Sequence, residues 1–147
     1  MKTANIYLIF DGQCEEAFNF YREVLGGEFA GISRYKDAPA EAKKPVSPAY
    51  SERIMHIALP VSNETMLMGG DGGEGWTDKH ITGNNFSVSI STDSKESADE
   101  IFKGLSKGGK VNMPMTSTFW GDYFGMLTDK FGINWMIGYS QIREYSE

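Results

Sequence analysis

The chain has 147 residues, of which 40% are hydrophobic and 13% are aromatic, so it can bury the core of one domain or of two small halves. The formal net charge is −6, and no basic run or stripe is present, which argues against nucleic acid or an anionic membrane as a partner. No apolar run approaches the roughly 20 residues of a membrane span. The single cysteine, Cys14, excludes an internal disulfide and favours a reducing compartment such as the cytoplasm.

The first predicted elements are a strand over residues 4–10, where side chains alternate in polarity, and a helix over residues 13–25. The helix is amphipathic, and the glycine pair at 26–27 ends it. Cys14 lies in its first turn with no histidine near it in sequence. This position favours a structural role for Cys14 over a nucleophilic one.

Three more strands complete the first half, over residues 27–35, 53–61 and 65–69. The last two form a predicted antiparallel pair around the turn at 62–63. Residues 37–52 hold three of the five prolines and predict a loop.

Residues 70–75, GDGGEG, fit the letters of the G-x-G-x-x-G motif. A dinucleotide site needs this motif to open a helix directly after a strand, and the residues that follow have no helical pattern. We therefore interpret the segment as the link between the two halves. This argues against a methyltransferase of the nucleotide-binding-fold type.

The second half repeats the same order of elements. Residues 85–91 alternate in polarity and predict a strand, and Thr92 or Ser94 can cap a helix over about 95–107, which Gly108 and Gly109 end. Three strands follow, over about 110–116, 122–128 and 133–139. The matching order and glycine pairs indicate a structural repeat.

These elements predict an α+β fold in which a single domain consists of two βαβββ modules, at about 1–75 and 80–147. In each module the helix is expected to cover one face of the sheet, leaving a face of mixed polarity. Together the modules are predicted to form an open, curved mixed sheet around a cavity, with the helices on the outer face. Such a semi-polar face favours a small-molecule pocket.

Three stretches carry a resemblance to a known superfamily: DGQCEEAFNFYREVLGG, RIMHIALPV and TFWGDYFGMLTDKFGINWMI. With the spacing between them, they resemble the vicinal oxygen chelate superfamily, which includes glyoxalases, bleomycin-resistance proteins and dioxygenases. The closer resemblance is to its PhnB-like branch, some members of which carry a demethylubiquinone methyltransferase label. The resemblance implies paired βαβββ modules and, commonly, a homodimer.

Metal-dependent members of the superfamily take His or Gln ligands from the first and fifth strands and Glu ligands from the fourth and eighth. The matching positions here are Asn5, Leu67 or Met68, Asn85 and Met136. Amide oxygens, apolar groups and a thioether do not hold a hard divalent cation firmly, so we expect no metal at this site and no cofactor. A displaced metal site would draw on His56 and His80, with help from Asp71 or Glu74.

His56 lies in the middle of a predicted strand, where alternation places it on the same face as Ile54 and Ala58. If that face borders the cavity, His56 is the best candidate for a general acid or base, because histidine is the residue type best suited to proton transfer near neutral pH. The alternative is a structural histidine.

Alternation also divides the aromatic stretch at 118–138. Ile133, Trp135 and Ile137 are predicted to face the helices as core, whereas Asn134, Met136 and Gly138 face the cavity. Trp120, Tyr123 and Phe124 are predicted to form a stacking wall at the cavity rim, with core packing as the alternative. The predicted ligand pocket comprises Asn5, Tyr7, His56, Met68, Asn85, Ser87, Trp120, Tyr123 and Met136.

The predicted function is the binding of a small organic molecule, or metal-independent chemistry on such a molecule. One alternative is a lyase, isomerase or dioxygenase that uses a divalent metal at a displaced site. Another is a non-catalytic sequestering protein of the resistance type. The expected partners are a small-molecule ligand and a second copy of the chain.

Overall fold

The computed structural model describes residues 2–38, 47–75 and 77–140. The chain divides into two compact units, Met1–Ile81 and Thr82–Glu147, and each holds one four-stranded mixed sheet. The order strand, helix, three strands occurs in both, which confirms the predicted α+β class and βαβββ modules. No helix in these described ranges is long and apolar enough to span a membrane.

The first unit contains β1 (Ile6–Phe10), α1 (Cys14–Leu25), β2 (Gly31–Arg34), α2 (Pro48–Ser51), β3 (Ile54–Pro60) and β4 (Met66–Asp71). Its sheet has the order β1-β4-β3-β2, with β1 parallel to β4 and the other pairs antiparallel. The short helix α2 corrects the loop predicted for 37–52, of which residues 39–46 lie outside the described residues. Strand β2 begins at Gly31 rather than at residue 27.

The core of the first unit lies between α1 and the adjacent face of the sheet. Leu8 and Phe10 of β1 are buried, as the alternation of β1 predicts, and so are Phe18 and Tyr21 of α1. The rings of Phe10 and Phe18 lie edge to face, 6.3 Å apart between centroids. A Cβ atom at Gly69 would lie 2.6 Å from a ring carbon of Phe18. Glycine at this position therefore lets the helix approach β4 closely.

A buried carboxylate from β4 holds the start of α1. Asp71 Oδ1 accepts hydrogen bonds from the backbone N–H groups of Gly12 (2.8 Å) and Cys14 (3.0 Å), and its Oδ2 accepts one from Ile54 (3.0 Å). The N–H groups at a helix N-terminus have no partner within the helix, and the local cap residue, Gln13, supplies no side-chain bond. Asp71 therefore caps α1 from a distant strand and joins it to β3.

The second unit contains β5 (Val88–Ser91), α3 (Lys95–Ser106), β6 (Lys110–Ser117), β7 (Asp122–Thr128) and β8 (Asn134–Ser140). Its sheet has the order β5-β8-β7-β6, with β5 parallel to β8. Ser94 caps α3 through a bond from the Ser97 N–H to its Oγ (3.1 Å), which confirms one of the two predicted caps. The strand predicted to begin at residue 85 begins at Val88 instead.

A second buried carboxylate stabilises the core of this unit. Asp129 Oδ1 accepts bonds from the N–H groups of Phe131 (2.8 Å) and Ile133 (3.0 Å) in the β7–β8 turn. Its Oδ2 accepts the indole N–H of Trp135 at 2.9 Å. Trp135 is fully buried, so its polar hydrogen needs this internal acceptor.

Replacement of Asp71 tests its role as the distant cap of α1. Asp71→Ala removes the acceptor of three backbone N–H groups, so we expect the free energy of unfolding to fall by about 2–5 kcal/mol. Asp78→Ala, which removes an exposed carboxylate, should change it by no more than about 0.5 kcal/mol. Urea denaturation measures both, and equal losses would contradict the capping role.

Candidate functional site

A cavity of about 490 Å³ lies in the second unit, within the size range of small-molecule sites. It is bordered by β5, β7, β8 and the turn before β7. The lining residues are Ser89, Ile90, Ser91, Trp120, Asp122, Tyr123, Phe124, Met136, Ile137, Gly138, Tyr139 and Ser140.

Alternation along β8 separates the core from the cavity side. Trp135 and Ile137 are 0% exposed and Ile133 is buried, whereas Met136 and Gly138 line the cavity. The burial of Ile133 and Trp135 and the lining positions of Met136 and Gly138 agree with the parity prediction, whereas Ile137 has a buried side chain but also borders the cavity. Asn134 shares the face of Met136 but is not among the lining residues. Its side-chain oxygen accepts a hydrogen bond from the hydroxyl of Thr128 at 2.6 Å.

The turn before β7 presents an aromatic wall. Trp120 is 52% exposed, and its ring lies 6.3 Å from that of Phe124, centroid to centroid. The indole N–H of Trp120 donates to Asp122 Oδ2 at 2.8 Å, which orients the ring. Gly121 has a φ of +97°, a conformation that strongly favours glycine, so the turn depends on this residue. Because half of its surface is exposed, Trp120 is not a core residue, which was the alternative interpretation.

Tyr123 borders the cavity, but its side chain is bound to α3. Its hydroxyl donates to Asp99 Oδ1 at 2.5 Å, and Lys95 Nζ lies 4.8 Å from the ring centroid. The hydrogen bond to Asp99 is the main cause of the raised pKa of Tyr123. The stacking wall therefore consists of Trp120 and Phe124, without the ring of Tyr123.

A row of methionines crosses the same face of the sheet, away from α3. Met113, Met126 and Met136 are cross-strand partners on β6, β7 and β8, and Ser89 of β5 follows Met136 in the row. Sequence analysis missed Met126, although its alternation with the buried Leu127 places it on the side of Phe124. Unbranched thioether side chains adapt readily to the shape of a ligand.

The sheet of the first unit also has one face that α1 does not cover, which we call the open face. Tyr7, Met68 and Ala58 are cross-strand partners on it, whereas Leu67 is buried in the core, so Met68 is the residue on the open face. The rings of Tyr7 and His56 stack at 5.7 Å, with Tyr7 Oη 3.5 Å from His56 Nδ1. Burial is the main cause of the raised pKa of Tyr7, so its hydroxyl stays protonated at neutral pH.

An irregularity in β3 changes the predicted partners of His56. Ser33 is opposite His56 and the next residue, Arg34, is opposite Ile54, so Met55 is an extra residue in β3. Such a bulge reverses the alternation, and Ile54 is buried in the core. The prediction that His56 and Ile54 share a face is wrong. The role of His56 as an acid or base stays a prediction.

The side chains at the remaining superfamily positions are poor ligands for a metal. Asn5 Oδ1 already accepts the N–H of Met66 at 3.0 Å. Asn85 and Ser87 are exposed and precede β5, and Met136 offers only a thioether. These residues, with Met68, do not fit a hard divalent cation. Within residues 2–38, 47–75 and 77–140, no three His, Cys, Asp or Glu side chains group as metal ligands.

Two other candidate groups have structural roles. Both carboxylate oxygens of Asp71 accept backbone N–H groups, which gives this side chain a structural role. Cys14 is fully buried, and burial, followed by the nearby Asp71 carboxylate, raises the pKa of its thiol far above the ordinary value. The thiol therefore stays protonated, which agrees with the predicted structural role.

The comparisons with known proteins identify the class to which this fold and cavity belong. The family model of the Glyoxalase/Bleomycin resistance protein/Dioxygenase superfamily matches residues 3–137, and the chain belongs to this superfamily. The structure of protein PA1353 from Pseudomonas aeruginosa is 34% identical, with a TM-score of 0.81, over 97% of this chain and 100% of that one.

Two further relatives are similar over most of the chain. A PhnB protein from Bacillus cereus, described as a putative 3-demethylubiquinone-9 3-methyltransferase, is 26% identical, with a TM-score of 0.69 over 95% of this chain and 100% of that one. Protein YjdN from Escherichia coli K12 is 27% identical over 137 residues, 89% of this chain and 90% of its own. The predicted superfamily and its PhnB-like neighbours are confirmed.

Truncation of the two tryptophans tests the division between core and wall. Trp135→Ala should lower the free energy of unfolding by about 3–5 kcal/mol, because it opens a core cavity and leaves Asp129 Oδ2 without the indole N–H. Trp120→Ala should lower the free energy of unfolding by no more than about 1.5 kcal/mol, because this ring is half-exposed. Denaturant unfolding measures both, and equal losses would assign Trp120 to the core.

Proposed function

We propose that this protein binds a small, flat, largely apolar organic molecule in the cavity of the second unit. The observation that carries the proposal is the wall formed by Trp120 and Phe124 beside Met136, in a cavity of about 490 Å³. A half-exposed tryptophan leaves a large apolar area in water, and a stacked ligand would cover it.

The cavity side of β8 supports this proposal. Gly138 is cross-strand to Phe124, and a Cβ atom at Gly138 would lie 3.1 Å from the Cβ of Phe124. Glycine at this position therefore lets the wall residue Phe124 lie close to β8. Met136, two residues earlier, supplies an adaptable surface beside that wall.

The proposed binding does not depend on a divalent metal at the superfamily's usual positions. The residues there offer amide oxygens and thioethers, and Asn5 uses its oxygen in strand pairing. Binding of this kind is shared by a sequestering protein and by an enzyme with metal-independent chemistry. Turnover of a bound substrate distinguishes the two.

Indole, a flat and mostly apolar probe, tests the proposal by isothermal titration calorimetry. We expect binding in the millimolar range, and Trp120→Ala should weaken it about five- to tenfold through lost stacking. Prior dialysis against EDTA should leave the affinity unchanged. The matched control is Phe86→Ala, because Phe86 is 51% exposed in the same unit, about as exposed as Trp120, and does not line the cavity.

Phe86→Ala should change the affinity for indole by less than about twofold. The absence of indole binding, or equal effects of the two truncations, would contradict the proposed site. A loss of indole affinity on treatment with EDTA would instead support a metal site away from the superfamily's usual positions.

We further propose that the chain acts as a homodimer in the cytoplasm. The edge strands β1, β2 and β6 carry exposed apolar side chains that a second copy can cover, among them Ile9, Ile32 and Val111. A chain whose single cysteine forms no internal disulfide suits a reducing compartment. Light scattering at micromolar concentration should give about twice 16.4 kDa, and the mass of one chain would refute the dimer.

A further inference from the structure

We propose that the ligand of this cavity is an organic cation, in which an amine or ammonium group is attached to the flat apolar body. This inference rests on the proposed function and names the chemical class of the ligand. It follows from the charges of the lining residues and from a second aromatic cluster in the same unit.

The lining residues carry one charge at neutral pH. Asp122 contributes a carboxylate, whereas the serines and tyrosines of the lining are neutral, and no Lys, Arg or His is among them. Within the described residues, no basic side chain lies at ion-pair distance from Asp122. A ligand cation would therefore meet a negative charge that no Lys, Arg or His of the described residues pairs.

The position of Asp122 directs this charge toward the aromatic wall. Its Oδ2 accepts the indole N–H of Trp120 at 2.8 Å, so the carboxylate lies at the edge of the ring. A cation over the face of Trp120 would be attracted by the ring and by the adjacent carboxylate together. An anionic ligand group would instead be repelled by Asp122.

The unit already contains this combination once, on the α3 side of the sheet. The hydroxyl of Tyr123 donates to the Asp99 carboxylate, and the ammonium group of Lys95 lies over the ring, 4.8 Å from its centroid. Trp120 and Asp122 repeat the first two parts, an aromatic ring whose polar hydrogen is bound to a carboxylate. We infer that the ligand supplies the third part, the cation.

Three indole derivatives with side chains of nearly equal length test this inference: tryptamine, tryptophol and indole-3-propionate, which are cationic, neutral and anionic at pH 7. We expect tryptamine to bind about tenfold more tightly than tryptophol, and indole-3-propionate to bind least tightly. Calorimetry on the unaltered protein measures all three dissociation constants, so this comparison does not depend on the folding of any variant.

Asp122→Asn removes the charge but keeps an oxygen that can accept the indole N–H of Trp120. In this variant the affinity for tryptamine should fall to that for tryptophol. Asp122→Glu, which keeps the charge, should retain a preference for tryptamine. Glu100→Gln is the matched control, because it removes one exposed negative charge from α3, outside the cavity, and should leave the preference unchanged.

Equal binding of tryptamine and tryptophol, or tightest binding of indole-3-propionate, would overturn the proposal of a cationic ligand. The cavity would still be a binding site. If Glu100→Gln and Asp122→Asn lose the preference for tryptamine equally, the preference depends on net charge, and the proposal of a cationic ligand is also overturned. The absence of binding by all three probes would overturn the proposed function and the cation together.

Discussion

The first unit depends on one buried carboxylate. Asp71 lies at the end of β4, yet its oxygens hold the N–H groups of Gly12, Cys14 and Ile54, which are 17 to 59 residues away in the chain. A buried carboxylate is tolerated only when such donors surround it. The start of α1 is therefore held at a defined place on the sheet, where Phe18 can pack against Gly69.

The second unit uses the same chemistry at a different place. Asp129 binds the backbone of the β7–β8 turn and the indole N–H of Trp135, which allows a tryptophan to be buried without an unsatisfied donor. Because side chains alternate along β8, the burial of Trp135 places Met136 on the opposite face. The position of Met136 in the cavity wall is thus a consequence of the burial of Trp135 in the core.

The superfamily fold and the superfamily metal site are separable in this protein. The two βαβββ modules are present, but the positions that hold ligands in metal-dependent members carry Asn5, Met68, Asn85 and Met136. The second sheet instead presents a methionine row, an aromatic wall and the single carboxylate of Asp122. A fold hosts many sites, so the chemistry of this protein is argued from these side chains rather than from the class alone.

The sequence by itself determined the βαβββ order, the two amphipathic helices and the faces of β1 and β8, because alternation and helical spacing are local properties of the chain. It could not show the bulge at Met55 or the hydrogen bond between Tyr123 and Asp99. Nor could it show that Asp71, which lies in a glycine-rich segment interpreted as a link, caps α1. These features depend on strand register and on partners distant in sequence. Only tertiary packing brings those partners together, and no local pattern encodes it.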